Sequence, residues 1–319
     1  MPDATEPASK NVCIDGIGAG AQAVLRFAPS PTGRLHLGHA LSALLNVEVA
    51  RRLGGRLLIR IEDTDLARCR PEHTTAILED LAWLGVHSDG PVLRQSEQLP
   101  VYAEAASQLV AMGLLYPCFC SRQEVQTAAA GGGVDPDGAP IYPGLCKGLD
   151  QDVVARRRAS GAPFALRLDM ARALNQLRTL GGDVCLGYME MDEALVPRRV
   201  ESWPERWGDV VIQRKGGAAS YHLAVVVDDA RQGITHVVRG ADLRASTDVH
   251  RLLQVLLGLS APIYLHHRLI AAVDGRKLSK RHGDTSLAAL RGAGLTPADI
   301  RRMVGIREAA PELRLFTCL

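Results

Sequence analysis

The patterned part of the chain begins with an apolar run, Ala23-Val-Leu-Arg-Phe27, which reads as a strand. Pro29, Pro31 and Gly33 force a turn. From Gly38 onward the apolar positions fall at helical spacing, with Leu41, Leu44, Leu45 and Glu48 on one face. Arg56–Ile61 is a second strand, apolar enough to be central in a parallel sheet, and it ends in the acidic cluster Glu62-Asp63-Thr64-Asp65. Pro71 opens a helix that places Ile77, Leu78, Leu81 and Leu84 on one face and stops at Gly85. Another helix runs from about Leu99 to Met112 and is capped by Gly113.

The middle of the chain changes character. A turn-rich stretch follows Cys120, then a helix near Asp150 to Arg158, a strand near Phe164 to Leu168 and an irregular segment to about Trp207. The alternation resumes at Gly208–Gln213. Strands are expected at Leu223–Val227 and Thr235–Gly240, then a helix over Thr247–Leu257 and two short helices near the end. This pattern predicts an α/β fold, a Rossmann-type doubly wound parallel sheet split by an inserted α+β lobe. The expected divisions are a flexible tail at 1–22, the first half of the sheet domain at 23–117, the inserted lobe at 118–207 and the second half at 208–319.

Composition narrows the function classes. With 319 residues, 47% of them hydrophobic and 23% charged, the chain is globular and long enough for more than one lobe. A net charge of only +2 means that nucleic-acid contact must come from local patches. Arg156-Arg-Arg158, Arg198-Arg199 and Arg301-Arg302 are candidates, although each also suits a solvated face. No apolar run approaches a membrane span and no signal pattern opens the chain, so a cytoplasmic protein without a membrane partner is expected. Gly16-Ile-Gly18-Ala-Gly20 has the wrong spacing for a dinucleotide loop.

Two features carry chemistry. A strand–turn–helix unit puts backbone N–H groups and a helix dipole where a phosphate can sit, and His36 and His39 stand at its mouth, though histidines there also serve as plain caps. The seven cysteines are an odd, unevenly spread set that does not suggest a disulfide framework. Cys118-x-Cys120 and Cys146, however, can approach one ion. A tetrahedral metal needs a fourth ligand, and on the residues alone that position stays open.

The turn Arg26-Phe-Ala-Pro-Ser-Pro-Thr-Gly-Arg-Leu-His-Leu-Gly-His39 and the distant loop Gly275-Arg-Lys-Leu-Ser-Lys-Arg281 resemble the two ATP-binding signatures of class I aminoacyl-tRNA synthetases. Between them, Arg60-Ile-Glu-Asp-Thr-Asp65 and Tyr221-His-Leu-Ala-Val-Val-Val-Asp-Asp229 resemble the glutamate-specific branch, and the likeness runs from about Leu25 to about Gly305. It implies ATP held by His36, Gly38, His39, Lys277, Ser279 and Lys280, with His36, His39, Lys277 and Lys280 catalytic and Mg²⁺ accompanying the nucleotide. Arg281 stands where that family usually closes the loop with serine. The resemblance further implies a glutamate site made of Arg26, Phe27, Ala28, Pro29, Ser30, Glu62, Tyr221 and Arg239. It also implies one structural zinc on Cys118, Cys120, Tyr142 and Cys146.

Few residues follow Lys280, so no anticodon-binding domain is expected. Within the branch the chain is similar to the truncated glutamyl-queuosine tRNA(Asp) synthetase family. That implies a monomer that activates L-glutamate without RNA and transfers it to queuosine in the anticodon of tRNA(Asp). The alternatives are a compact glutamyl-tRNA synthetase charging tRNA(Glu) and a catalytically silent RNA-binding paralogue.

Overall fold

The computed structural model describes residues 22–181, 186–270 and 285–306. In chain order its strands are β1 (Val24–Phe27), β2 (Arg56–Ile61), β3 (Leu93–Arg94), β4 (Leu115–Cys118), β5 (Ala165–Leu168), β6 (Gly187–Met191), β7 (Pro197–Glu201), β8 (Val211–Gln213), β9 (His236–Gly240) and β10 (Ile263–His267). The helices are α1 (Leu37–Arg52), α2 (Pro71–Trp83), α3 (Leu99–Ala111), α4 (Arg122–Ala128), α5 (Gln151–Ala159), α6 (Met170–Gly181), α7 (Tyr221–Arg231), α8 (Thr247–Leu256), α9 (Leu287–Gly292) and α10 (Pro297–Met303).

Seven strands form one sheet in the order β3-β2-β1-β9-β10-β6-β7, and every pairing except β6–β7 is parallel. The order reverses between β1 and β9, and open α/β sheets bind ligands outside the carboxyl ends of the strands at such a switch point. β1 is buried throughout and β9 at all but its last residue, as central parallel strands covered on both faces must be. A second sheet, β4-β5-β8, is antiparallel and carries Cys118 at the end of β4, with Cys120 just beyond it.

Three expectations are corrected. Leu223–Val227 is not a strand but the middle of α7, which is capped by Ser220 and packed with α8 in one core cluster. A short run of buried apolar residues has the same pattern in either structure, and here the helix is buried on nearly all sides. Residues 170–207, read as irregular, contain α6 and the β6–β7 hairpin, and that hairpin joins the large sheet. Its edge strand β7 carries Arg198 and Arg199, which hide the strand pattern. Leu78, expected on the buried face of α2, is 36% exposed, whereas Ile77 and Leu81 are in the core. The helix spans over 99–112 and 150–158, the strand at β2 and the two short final helices agree with expectation to within a residue or two.

Candidate functional site

The turn after β1 is stitched to the end of β2, because the Glu62 N–H donates to Pro29 O at 3.1 Å. His36 then caps α1. Its Nδ1 accepts from the Gly38 N–H at 3.1 Å, while the His39 Nδ1 accepts from the His36 N–H at 3.2 Å, and the rings lie 3.9 Å apart. A Cβ on Gly38 would meet the His36 ring at 3.0 Å, which explains a glycine there. The two histidines are therefore helix caps, as plain physical chemistry allowed. The first turn of α1 holds no acidic residue, so its positive end has no carboxylate of its own there. Asn46, buried in α1, donates to Val238 O at 3.0 Å and fixes the helix over β9.

A cavity of about 560 Å³ opens at the switch point. Of the residues expected at the site, Arg26, Phe27, Ala28, Pro29, Ser30, His36, Gly38, His39, Glu62, Tyr221 and Arg239 all line it. Lys277, Ser279, Lys280 and Arg281 lie outside the described residues, as do Cys13, Cys185 and Cys318 and the glycines at 16–20.

The charged groups of this cavity fall into two arrangements. Arg26 donates through Nε to Asp229 at 3.1 Å, and the same carboxylate oxygen takes Arg60 at 2.6 Å. Asp228 accepts from Gln95 at 2.9 Å and from Tyr102 at 2.8 Å. Burial pushes the Asp229 carboxyl up, but Arg26 and Arg60 outweigh it and hold the group below its ordinary value. Glu62 differs. Burial dominates and, against Arg60 and Arg26, lifts its carboxyl to about 7.

Arg239, on β9 and only 4% exposed, has neutral partners. Its Nη2 donates to Thr247 at 2.7 Å, Nη1 to the Tyr221 hydroxyl at 3.2 Å and the His250 Nδ1 at 3.3 Å, and Nε to the His266 Nε2 at 3.2 Å. Burial, followed by the charge of Arg239, pushes His222 down to about 4 and His250 well below its ordinary value. Burial also lowers His266 to about 4, although Glu190 accepts from its Nδ1 at 2.7 Å. All three imidazoles are thus neutral near pH 7. Among the described residues no carboxylate lies within ion-pair distance of Arg239. A buried guanidinium in that state can take an anion from outside.

A second cavity of about 570 Å³ adjoins the first and shares Ser30, Thr32, Glu62 and Tyr221 with it. Its far wall comes from the turn-rich loop and the smaller sheet, through Asp135, Tyr142, Arg167, Trp207, Asp209 and Arg214.

Behind that wall Cys118, Cys120 and Cys146 bring three sulfurs within 4.8 Å of one another. The Tyr142 hydroxyl is 3.4 Å from the Cys118 sulfur and 3.7 Å from that of Cys120, and Cys120 is 3.4 Å from Cys146. Ligand atoms ~2.3 Å from a tetrahedral ion sit roughly 3.7 Å apart, so these donors can hold a metal with little movement. Burial raises the Cys118 thiol, but the hydrogen bonds that Tyr142 and Arg167 make to its thiolate form outweigh it and the group is lowered. Burial and the neighbouring thiols lift Cys120 to about 11, and burial raises the Tyr142 phenol. The Arg167 guanidinium lies 3.8 Å over the Tyr142 ring. Cys69, the remaining described cysteine, stands apart and is half-buried.

Residues 22–314 match the catalytic-domain family of class I tRNA synthetases for E and Q. A glutamate–tRNA ligase of Heliobacterium modesticaldum is 39% identical over 86% of this chain, but that match covers only 54% of the ligase. A glutamyl-Q tRNA(Asp) synthetase of Rhodobacter capsulatus is 44% identical over 89% of this chain and 100% of its own length. The chain belongs to the glutamyl-Q tRNA(Asp) synthetase family. In three dimensions it resembles a glutamate tRNA ligase of Elizabethkingia meningosepticum solved with its amino acid, with a TM-score of 0.70 and 28% identity. That likeness covers 89% of this chain and 60% of the ligase. The class I synthetase fold read from the motifs is thus the fold observed.

For a glutamyl-Q synthetase family member the sequence located the cavity's rim but not its lining of neutral imidazoles. His222, His250 and His266 come from α7, α8 and β10, and Thr247 opens α8. No spacing links them. The one available signal was negative: three histidines within buried apolar segments, each needing a hydrogen-bond partner.

Proposed function

We propose that the protein activates L-glutamate with ATP, without RNA, and transfers the glutamyl group to queuosine in the anticodon of tRNA(Asp). The observation that carries the substrate assignment is Arg239, a buried guanidinium with neutral partners in the wall of the switch-point cavity. It receives one carboxylate of glutamate. Arg26, whose Nε is held by Asp229, offers its terminal nitrogens to the same ligand, Tyr221 forms the wall and Glu62 takes the ammonium. Phe27, Ala28, Pro29 and Ser30 shape the floor.

The α-carboxylate then attacks the α-phosphorus of ATP. A P–O bond forms, the bond to the β-phosphate breaks, and pyrophosphate departs, with Mg²⁺ brought by the nucleotide as part of that substrate. The end of α1, with His36, Gly38 and His39, faces the phosphates, and Lys277, Ser279 and Lys280 are assigned to the charge that develops on them. In the second step a hydroxyl of the acceptor attacks the glutamyl carbonyl carbon, an ester C–O bond forms, the C–O bond to phosphate breaks, and AMP leaves with the hydroxyl's proton passing to its phosphate. The acceptor reaches that carbon through the second cavity.

Cys118, Cys120, Tyr142 and Cys146 hold a structural zinc in this reading, which braces the wall carrying Arg167 and Asp209. Cysteines that form no disulfide among the described residues suit a reducing cytoplasm. Metal analysis is expected to return one zinc per chain, lost in the Cys118→Ser variant.

Labelled glutamate, ATP and Mg²⁺ with purified tRNA(Asp), with and without queuosine, test the whole. Label is expected only on the queuosine-bearing RNA. Label on tRNA(Glu) instead would overturn the acceptor assignment.

A further inference from the structure

The two cavities are joined by a hydrogen-bond chain whose proton positions are fixed by charge. Arginine has no lone pair to offer, so where the Arg239 Nη1 meets the His250 Nδ1 at 3.3 Å, the histidine nitrogen must accept. A neutral imidazole that accepts through Nδ1 carries its proton on Nε2. That atom lies 3.3 Å from the His222 Nδ1 and donates to it. His222 is then obliged in turn to carry its own proton on Nε2.

The His222 ring is pinned. Trp207 packs edge-on at 5.5 Å, Tyr221 lies at 5.6 Å and His250 at 5.3 Å. His222 lines the second cavity beside Trp207, Asp209, Ser220 and Tyr221. Among the described residues its Nε2 has no partner. The chain from Arg239 therefore ends in a single N–H, held in a fixed tautomer and a fixed ring plane, at the wall of the cavity through which the acceptor enters.

We propose that His222 is an acceptor-positioning residue, whose Nε2–H donates to an oxygen of the acceptor nucleoside in the second cavity during glutamyl transfer. The proposal rests on the function given above. Because the nitrogen facing the cavity carries the proton, His222 orients the acceptor and does not take the proton from the attacking hydroxyl. The same chain links the two substrates: the arginine assigned to glutamate sets the tautomer that meets the acceptor. A donor in this place favours an acceptor rich in hydroxyl oxygens and rejects one that presents an N–H there.

The test compares two half-reactions in the full-length protein. Glutamate-dependent pyrophosphate exchange reports activation, and single-turnover transfer of labelled glutamate to queuosine-bearing tRNA(Asp) reports acceptor positioning. In His222→Phe, which keeps a flat ring but has no donor, the ratio of transfer to exchange is expected to fall roughly tenfold, the effect of one hydrogen bond. His222→Gln, whose amide N–H reaches the same place, is expected to restore the ratio to within about threefold. Nitrogen-15 spectra of the histidines are expected to show His222 and His250 protonated on Nε2. An unchanged ratio in His222→Phe, an equal fall of both half-reactions, or a His222 protonated on Nδ1 would overturn the proposal. The spectra need no RNA, so loss of the function reading, seen as no transfer by the unaltered protein, is distinguishable from a wrong tautomer.

Discussion

Two arginines share the switch-point cavity, and their surroundings are opposite. Arg26 shares Asp229 with Arg60, in a corner where Gln95 and Tyr102 donate to one oxygen of Asp228, which lies 4.0 Å from the Arg60 Nε. Arg239 sits 4% exposed among a hydroxyl, a phenol and two imidazoles, all neutral. Burying a guanidinium is costly unless it is paired. In the first corner the fold supplies the anion, and in the second it supplies only dipoles and leaves the charge to be met by a ligand. Charge pairing thus separates the corner that is neutralised within the fold from the one to which the proposed function assigns the glutamate carboxylate.

The largest effect should come from breaking the first corner. Asp229→Asn takes from Arg26 its carboxylate and leaves buried Arg60 only the more distant Asp228, 4.0 Å from its Nε, and a loss of about 3–5 kcal/mol of stability is expected in denaturant unfolding. A midpoint within error of the unaltered protein would remove the structural role assigned to that corner. Arg239→Leu is expected to do the reverse. Exchange activity, measured as kcat/KM for glutamate, should fall about 10²–10³-fold with a much smaller change in stability. Were stability to collapse while the surviving fraction kept its activity, the two arginines would have exchanged roles.

A smaller effect concerns pH. Glu62 titrates at about 7 because burial disfavours its charged form, and only that form holds an ammonium. Its ionised fraction rises with pH, so the KM for glutamate should fall about tenfold between pH 6 and 8. His222 and His266, lowered to about 4, do not titrate in that window. Glu62→Gln should flatten the profile. The smallest effect is Tyr221→Phe, which removes one neutral partner of Arg239 and should raise the KM for glutamate roughly threefold.

Legibility followed the same division. The strand, the proline-rich turn and the opening helix were readable because proline, glycine and 3.6-residue spacing act locally. The cysteine set was readable because sulfur pairs at short spacing have few other uses. The strand assignment for Leu223–Val227 failed because burial on all sides erases the period that separates helix from strand. The β6–β7 hairpin was hidden by a polar edge strand. Arg239 was named as a ligand from resemblance alone. What sets it apart from Arg26 is the company of His250, His266 and Thr247, contributed by elements that only the fold brings together.

The most direct test of the account is glutamate-dependent exchange of labelled pyrophosphate into ATP by the purified protein with no RNA present. Exchange driven by L-glutamate, and not by glutamine or aspartate, is the result expected of an arginine that waits for a carboxylate at this depth. Absence of exchange with every amino acid, in a protein that is folded and metal-replete, would contradict it.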